Sequence, residues 1–449
     1  MKIKKLIPLF ISLFLISACG HKIAPTPNPD DPDIPVEPEI ELDNQTILIY
    51  MSGANYESKY ANESVIPGSE PAIPWDGCGY ATKCIQGILS VPNKPDDVNI
   101  VIMTGGSTEW TTKENGHYGD YDIDANKIQI HHVGSDNKLY LDATFDISSM
   151  GDWSTFEKFI EYGLNAYPAE RFGLVFWGHG AGTQGVCYDY NYVNTSIGEV
   201  DSLSLNEMYD GMVHALHNSP FWGKKLEWVG YDCSYSALQD LATNNSPFFK
   251  YMVASQEVKE AYGWNYAEWI DDVYAKKDTL EILKAICDSS MNYVAGPDQD
   301  VYDNQTRSIL DLSKIVSYYN AFEDFAIKLG TKVRQATKDA FNECIINNVK
   351  YFGATSYIYY GHFDVKSFVS YIASEANTDF RIDTVYTDNV LATLSDLVIY
   401  ETHESGNSDC CGLSLFWICS HYARAYTPYG ASDTDFYYWA MFNYVYGAS

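Results

Sequence analysis

Short β-branched runs that alternate with amphipathic stretches constrain this chain more than any other feature of its sequence. Residues 46–52 (TILIYMS) and 98–104 (VNIVIMT) are apolar runs bounded by turn residues, the pattern of strands buried on both faces. Residues 173–177 (GLVFW), 226–231 (LEWVGY) and 251–255 (YMVAS) continue the series. Helical periodicity fills residues 153–167, 204–217 and 235–244. In the first of these Phe156, Phe159, Ile160 and Leu164 share one face, and the stretch 152–157 (DWSTFE) supplies N-terminal capping residues. Residues 127–132 and 139–144, separated by Gly134-Ser135-Asp136-Asn137, read as an inserted hairpin. Strand-helix alternation predicts an α/β fold: a mainly parallel sheet flanked by helices, with its site at the carboxyl ends of the strands. Beyond about Asp300 longer helical stretches and a short strand at 412–418 read as an added C-terminal α+β region. The expected division is a domain at 44–300 and a region packed on it at 301–449.

The first residues read as an export leader. Lys2, Lys4 and Lys5 precede an apolar run at 6–16 that is too short to span a bilayer. It ends in Ile16-Ser17-Ala18-Cys19, small residues directly before a cysteine, which resembles a lipobox. The expectation is a lipoprotein signal peptide at 1–18 and lipidation of Cys19, with the protein exported and anchored to the bacterial outer membrane. Gly20, where an aspartate would signal inner-membrane retention, directs that choice. Residues 19–43 interleave proline with Asp and Glu. Fixed φ angles and like charges make this an extended, solvated tether. A lipid on such a tether attaches a folded domain to a membrane without spanning it.

An apolar fraction of 46% and an aromatic fraction of 15% supply a large core. The net charge is −31, and removal of the three leader lysines takes it to −34. That balance argues against nucleic acid or an anionic membrane surface as a partner. A monomer acting on peptide or protein is expected. Nine cysteines follow Cys19, in a compartment that permits disulfides, and their spacing assigns no bridges.

Two strand ends carry reactive side chains. The first reads Trp177-Gly178-His179-Gly180-Ala181-Gly182: flanking glycines let the imidazole turn into a cleft and leave the Gly180 N–H open to a substrate carbonyl. The second reads Gly230-Tyr231-Asp232-Cys233-Ser234-Tyr235-Ser236, where a strand is expected to turn directly into a helix whose N-terminal amides favour negative charge. Such pieces suit nucleophilic acyl transfer. Other histidines are weaker candidates. His214 and His217 lie three apart on a helix, and His131 and His132 adjoin in the hairpin. Asp298, Asp300 and Asp303 flank a turn without a calcium-loop pattern.

The wider succession resembles the clostripain family of cysteine peptidases. Residues 146–152 (DISSMGD) lead through a helix to 167–172 (YPAERF) and then to the Trp-Gly-His-Gly strand end. Residues 252–257 (MVASQE) with Gly263-Trp264-Asn265-Tyr266 resemble one wall of the family's specificity pocket. Residues 306–314 (TRSILDLSK) and 412–416 (GLSLF) resemble later family blocks. The resemblance implies a caspase-like fold and a Cys/His dyad in which His179 is the histidine and Gly180 an oxyanion donor. It implies a substrate wall at Glu257, Glu260, Tyr262 and Trp264. Cofactors are not expected; calcium is compatible with the family, but no site for it is marked, and no metal ligands are assigned.

The nucleophile segment departs from the family. Its usual Asp-Ala-Cys, laid without gaps on Asp232-Cys233-Ser234, puts Cys233 on the alanine and Ser234 on the cysteine. Because strand side chains alternate between faces, Cys233 and Ser234 cannot both face His179. Three readings stay open: Cys233 as nucleophile after local remodelling, Ser234 with His179 as its base, or a silent cleft that binds peptides. The basic residue at which some members self-cleave is also missing, since residues 180–221 contain no Lys or Arg.

Overall fold

The computed structural model describes residues 40–416 except 66–67, 69–70, 73, 195–198, 292, 294–303, 334–337 and 354–360. The leader, Cys19, most of the tether and the aspartates at 298, 300 and 303 lie outside the described residues. Among those described, no helix is long and apolar enough to cross a membrane.

The β-branched runs form the centre of a nine-stranded sheet. Five strands are parallel, in the order β9 (Phe249–Ala254), β8 (Leu226–Asp232), β5 (Ala169–Trp177), β1 (Asp43–Ser52) and β2 (Val98–Gly105). Beyond β2 the expected hairpin, β3 (Lys127–Val133) and β4 (Leu139–Asp146), continues the sheet antiparallel. Beyond β9 it continues through β10 (Thr306–Asp311) and β12 (Val398–His403), each antiparallel to its neighbour. Two small pairs stand apart from it: the hairpin of β6 (Val186–Asn194) and β7 (Glu199–Leu203), and β11 (His362–Asp364) with β13 (Ser414–Phe416).

Both faces of the central strands are covered, so their runs are continuously apolar rather than alternating. Ile47 to Met51 and Ile100 to Met103 are 0% exposed. One core takes Leu48, Tyr50, Phe176 and Tyr231 from the sheet and packs them on the helices Trp153–Ala166 and Leu205–His217. Phe156, Phe159, Ile160 and Leu164 line this face, as their periodicity predicts, and the Asp152 carboxylate accepts from Ser154 N–H to cap the helix. The opposite core sets Ile47, Ile49, Trp177 and Trp228 against the helices Tyr80–Leu89, Tyr266–Tyr274 and Thr279–Ser289.

One expected element starts elsewhere. The helix after β8 begins at Gln239, not at residue 235. Tyr235 takes a left-handed φ of 56°, its N–H donates to Glu257 O, and Ala237 N–H donates to Ser255 O. The backbone of residues 234–238 is therefore spent on a turn laced to the segment after β9, and Cys233 and Ser234 do not lie at a helix N-terminus.

Phe156 meets Tyr50 edge-on at 5.4 Å and Phe176 at 5.3 Å. Phe156→Ala is expected to lower stability by about 3–5 kcal/mol in urea denaturation, with the cooperative transition kept. A loss under about 1 kcal/mol would mean that this helix does not seal the core.

Candidate active site

At the carboxyl ends of β1, β5, β8 and β9 four segments converge. After β5, Gly178 takes a φ of 142° and the chain presents His179. After β1, the short helix Ala54–Ser58 supplies Asn55 and Tyr56. His179 Nε2 lies 2.6 Å from Asn55 Oδ1. The imidazole stacks on Tyr56 with ring centres 3.7 Å apart and meets the edge of Tyr190 at 5.4 Å. With Nε2–H donating to the Asn55 carbonyl oxygen, Nδ1 keeps the lone pair that a general base needs. Burial, assisted by the nearby Lys259 ammonium, lowers the imidazole pKa to about 4. At neutral pH the ring is an oriented, uncharged base.

Neither Asn55 nor Tyr56 was singled out from the sequence, although both follow the carboxyl end of a predicted strand, where sites gather. The helix that carries them is anchored by Glu57. This fully buried carboxylate accepts from the N–H and the hydroxyl of both Thr82 and Thr111, at 2.7–2.9 Å.

The nucleophile segment divides as strand alternation requires. The side chain of Cys233 enters the core that holds Phe176 and Tyr231, is 0% exposed, and its thiol donates to Phe176 O at 3.4 Å. Cys187 lies beside it, and burial followed by contact with Cys233 pushes the Cys187 thiol well above its ordinary pKa. Asp232 and Ser234 turn the other way. Ser234 is 8% exposed, and its Oγ accepts from Lys259 N–H at 3.0 Å. Among the described residues neither Cys233 nor Ser234 is hydrogen-bonded to His179. Gly180 allows the two segments to pass closely: a Cβ there would lie 2.7 Å from Ser234 O and 2.8 Å from the Cys233 Cβ. The bonds that pair this loop with β6 come from its neighbours, Ala181 N–H to Gly185 O and Cys187 N–H to His179 O. The Gly180 amide is not used in that pairing.

Beside the Ser234 segment lies a buried ion pair that the sequence did not announce. Asp232 Oδ1 and Lys259 Nζ are 2.9 Å apart, with side chains 0% and 1% exposed. Asp232 Oδ2 accepts from Trp264 N–H at 3.0 Å and Tyr266 O–H at 3.1 Å. Gly263, at a φ of 80°, covers this carboxylate, and a Cβ there would come within 2.8 Å of both Asp232 Oδ2 and Trp177 Nε1. The carboxylate that ends β8 is thus already neutralised by a lysine of the same chain.

The four residues expected to form a substrate wall make contacts within the protein. Glu257 is buried and accepts from Val258 N–H and Gly353 N–H at 2.7 and 2.9 Å. Glu260 accepts from Gln305 Nε2 at 2.9 Å. Tyr262 packs edge-on against Tyr293, and its carbonyl accepts from the Cys84 thiol. Trp264 is 1% exposed and its ring covers Gly230. Of the four, Trp264 joins the Asp232 cluster directly. The weaker histidines are engaged elsewhere: His131 with Thr104 and Tyr121, His132 with Asp142, and His214 with Glu157.

Two outcomes follow. Lys259→Ala, which leaves Asp232 buried and unpaired, should cost about 3–5 kcal/mol in denaturant melts, whereas Lys259→Met with Asp232→Asn should recover most of that loss. No recovery in the double variant would mean that Lys259 acts through packing rather than charge. His179 should take up its proton near pH 4 in an NMR titration, against about 6.5 in the unfolded chain. Since the folded state binds this proton more weakly, the contribution of His179 to stability declines as pH falls from about 6.5 toward 4.

Comparisons with known proteins bear on the fold and the family. The sequence matches the clostripain family over residues 77–426. No curated protein sequence matches significantly. Among solved structures, a secreted C11 cysteine protease from Bacteroides thetaiotaomicron, "iotapain", superposes with a TM-score of 0.58 at 14% identity, covering 90% of this chain and 100% of that one. A secreted C11 cysteine protease from the same organism, bound to an irreversible peptide inhibitor, gives 0.57 at 14% identity, with coverage of 88% and 98%. An inactive zymogen C11 protease from Parabacteroides distasonis gives 0.57 at 14% identity, with coverage of 91% and 100%. Likeness at this level of identity speaks for the fold, and the match over residues 77–426 speaks for the family. On both grounds this chain belongs to the clostripain family and carries its α/β protease fold.

Proposed function

We propose that this chain is an exported, lipid-anchored clostripain relative that keeps the peptide cleft of its family and has lost thiol catalysis. The observation that carries the reading is the direction of Cys233: its sulfur bonds to Phe176 O in the core behind the sheet, while the oriented base His179 stands on the other face. A thiol must reach its base to become a thiolate nucleophile. Turning Cys233 to His179 would require reversing the β8 backbone that also places Asp232 on Lys259.

What remains still suits a peptide. His179 and the Gly180 amide lie beside the turn at Ser234, and one C11 protease of similar fold is known in complex with a peptide inhibitor. The Asp232 carboxylate, taken by Lys259, offers no free charge to a basic side chain, so the reading favours neutral peptides over cleavage after Arg or Lys. Cys19 at the end of the apolar leader, followed by the acidic proline tether, supports display of the cleft outside the cell. A second reading keeps hydrolysis with Ser234 as nucleophile, since it occupies the family's cysteine register on the His179 face. A hydroxyl held by Lys259 N–H and not bonded to a base is a poor nucleophile, which places this reading second.

The test combines a mixed peptide library with thiol labelling of the native protein. Binding without cleavage is expected, with Cys233 inert to iodoacetamide until the fold is denatured and binding weakened in His179→Ala. Ser234→Cys, which restores the thiol to the family register, should become alkylated in the native state. Turnover abolished by both Ser234→Ala and His179→Ala would establish the serine reading. Turnover abolished by Cys233→Ala together with rapid native labelling would restore the thiol mechanism. Fatty-acid labelling lost in Cys19→Ala would establish the anchor.

A further inference from the structure

At the far edge of the sheet Glu401 and His403 lie two residues apart on β12, on one face of the strand, and Cys410 returns to them from the loop that follows. One donor atom from each residue falls within 4.8 Å of the others. The Glu401 Oε2 to His403 Nδ1 distance is 2.8 Å, and the Cys410 Sγ to Glu401 Oε2 distance is 3.9 Å. We infer that Glu401, His403 and Cys410 form a binding site for a single zinc-type divalent cation, which staples the loop at 404–412 to the edge of the sheet.

The donor set selects the ion. One sulfur, one imidazole nitrogen and one carboxylate oxygen suit a borderline-soft ion such as Zn²⁺, whereas calcium and magnesium require oxygen ligands. Bond lengths of about 2.0–2.3 Å place the donors of a tetrahedral zinc roughly 3.2–3.8 Å apart, so the observed set needs only small side-chain shifts to close. Cys410 is buried, while the His403 and Glu401 side chains remain 27% and 32% exposed. This leaves a path for entry and a fourth position for water. The Lys350 ammonium is paired with Asp409.

The setting gives the staple something to hold. Val175, Gly230, Val253, Ile309 and Tyr400 form one lateral row across β5, β8, β9, β10 and β12. Glu401 and His403 therefore sit at the same end of the sheet as His179, four strand spacings or about 19 Å to the side. The loop continues into Cys411, whose N–H donates to Asp364, and Gly412, whose N–H donates to Gln256. Gln256 begins the wall segment that contains Glu257 and Lys259, so an ion held by Cys410 would stiffen that wall from behind.

Binding converts the Cys410 thiol to a metal-bound thiolate and releases its proton to solvent. Affinity for the ion therefore rises with pH.

The full chain, stripped with chelator, is titrated with Co²⁺ and then Zn²⁺. One equivalent of Co²⁺ should develop a thiolate charge-transfer band and the intense visible bands of four-coordinate cobalt, both lost when Zn²⁺ displaces it. Cys410→Ser should abolish the charge-transfer band, and Cys410→Ser and His403→Ala should each weaken Zn²⁺ binding by more than about tenfold. Cys411→Ser, with circular dichroism matched to the unmodified chain, should retain both. A spectrum that persists in Cys410→Ser, or no uptake in competition with a weak chelator, would overturn the site.

Discussion

The end of the sheet that carries His179 is organised around a carboxylate that has been taken out of water. Asp232 ends β8, is wholly buried, and is held by the Lys259 ammonium, the Trp264 amide and the Tyr266 hydroxyl. An isolated charge there would carry a desolvation cost of several kcal/mol, which those three partners offset. Their positions are therefore coupled. Lys259 and Trp264 belong to the segment after β9 and Tyr266 begins the next helix, so one buried carboxylate ties that segment to the end of β8. Gly263 has to be glycine because a side chain at its positive φ would press on that carboxylate.

The same constraint determines what chemistry is within reach. With Asp232 turned toward Lys259, the next residue must point to the opposite face, and Cys233 is committed to the core beside Phe176 and Cys187. Ser234 returns to the cleft side. The His179 imidazole is well ordered by comparison: Asn55 sets its tautomer, Tyr56 and Tyr190 hold the ring, and burial keeps it neutral. The burial of that sulfur away from the imidazole is the basis of the proposed loss of thiol attack. Beside it the Asp232 carboxylate is neutralised by Lys259.

The sheet transmits order beyond the cleft. The wall segment is bonded through Gln256 to Asp364 and Ser414, and the turn after β8 is bonded to the same wall through Tyr235 and Ala237. Residues far apart in sequence thereby share one rigid frame at the carboxyl ends of the strands. Order at the edge strand β12 bears on the same frame, because the loop that follows it ends on Gln256.

Much of this was legible in the chain itself. Continuous apolar runs marked the central strands, because strands covered on both faces have no polar side to alternate with. Helical periodicity placed Phe156, Phe159, Ile160 and Leu164 on the sheet, and the glycines around His179 marked the end of a strand. Even the opposed directions of Cys233 and Ser234 follow from the two-residue period of a strand. The helix start at Gln239 was not legible, because the turn before it is stabilised by hydrogen bonds to the segment after β9. Nor were Asn55 and Tyr56 beside His179, or Lys259 beneath Asp232, since those pairs are separated in sequence and meet only when β1, β5, β8 and β9 lie side by side. Local sequence determined which segments are strands and helices and which way their side chains alternate, because those properties depend on neighbours a few residues away. Which charge is neutralised, which base is oriented and which thiol is buried were decided by the tertiary structure alone, because each depends on removing water from groups brought together across the sheet.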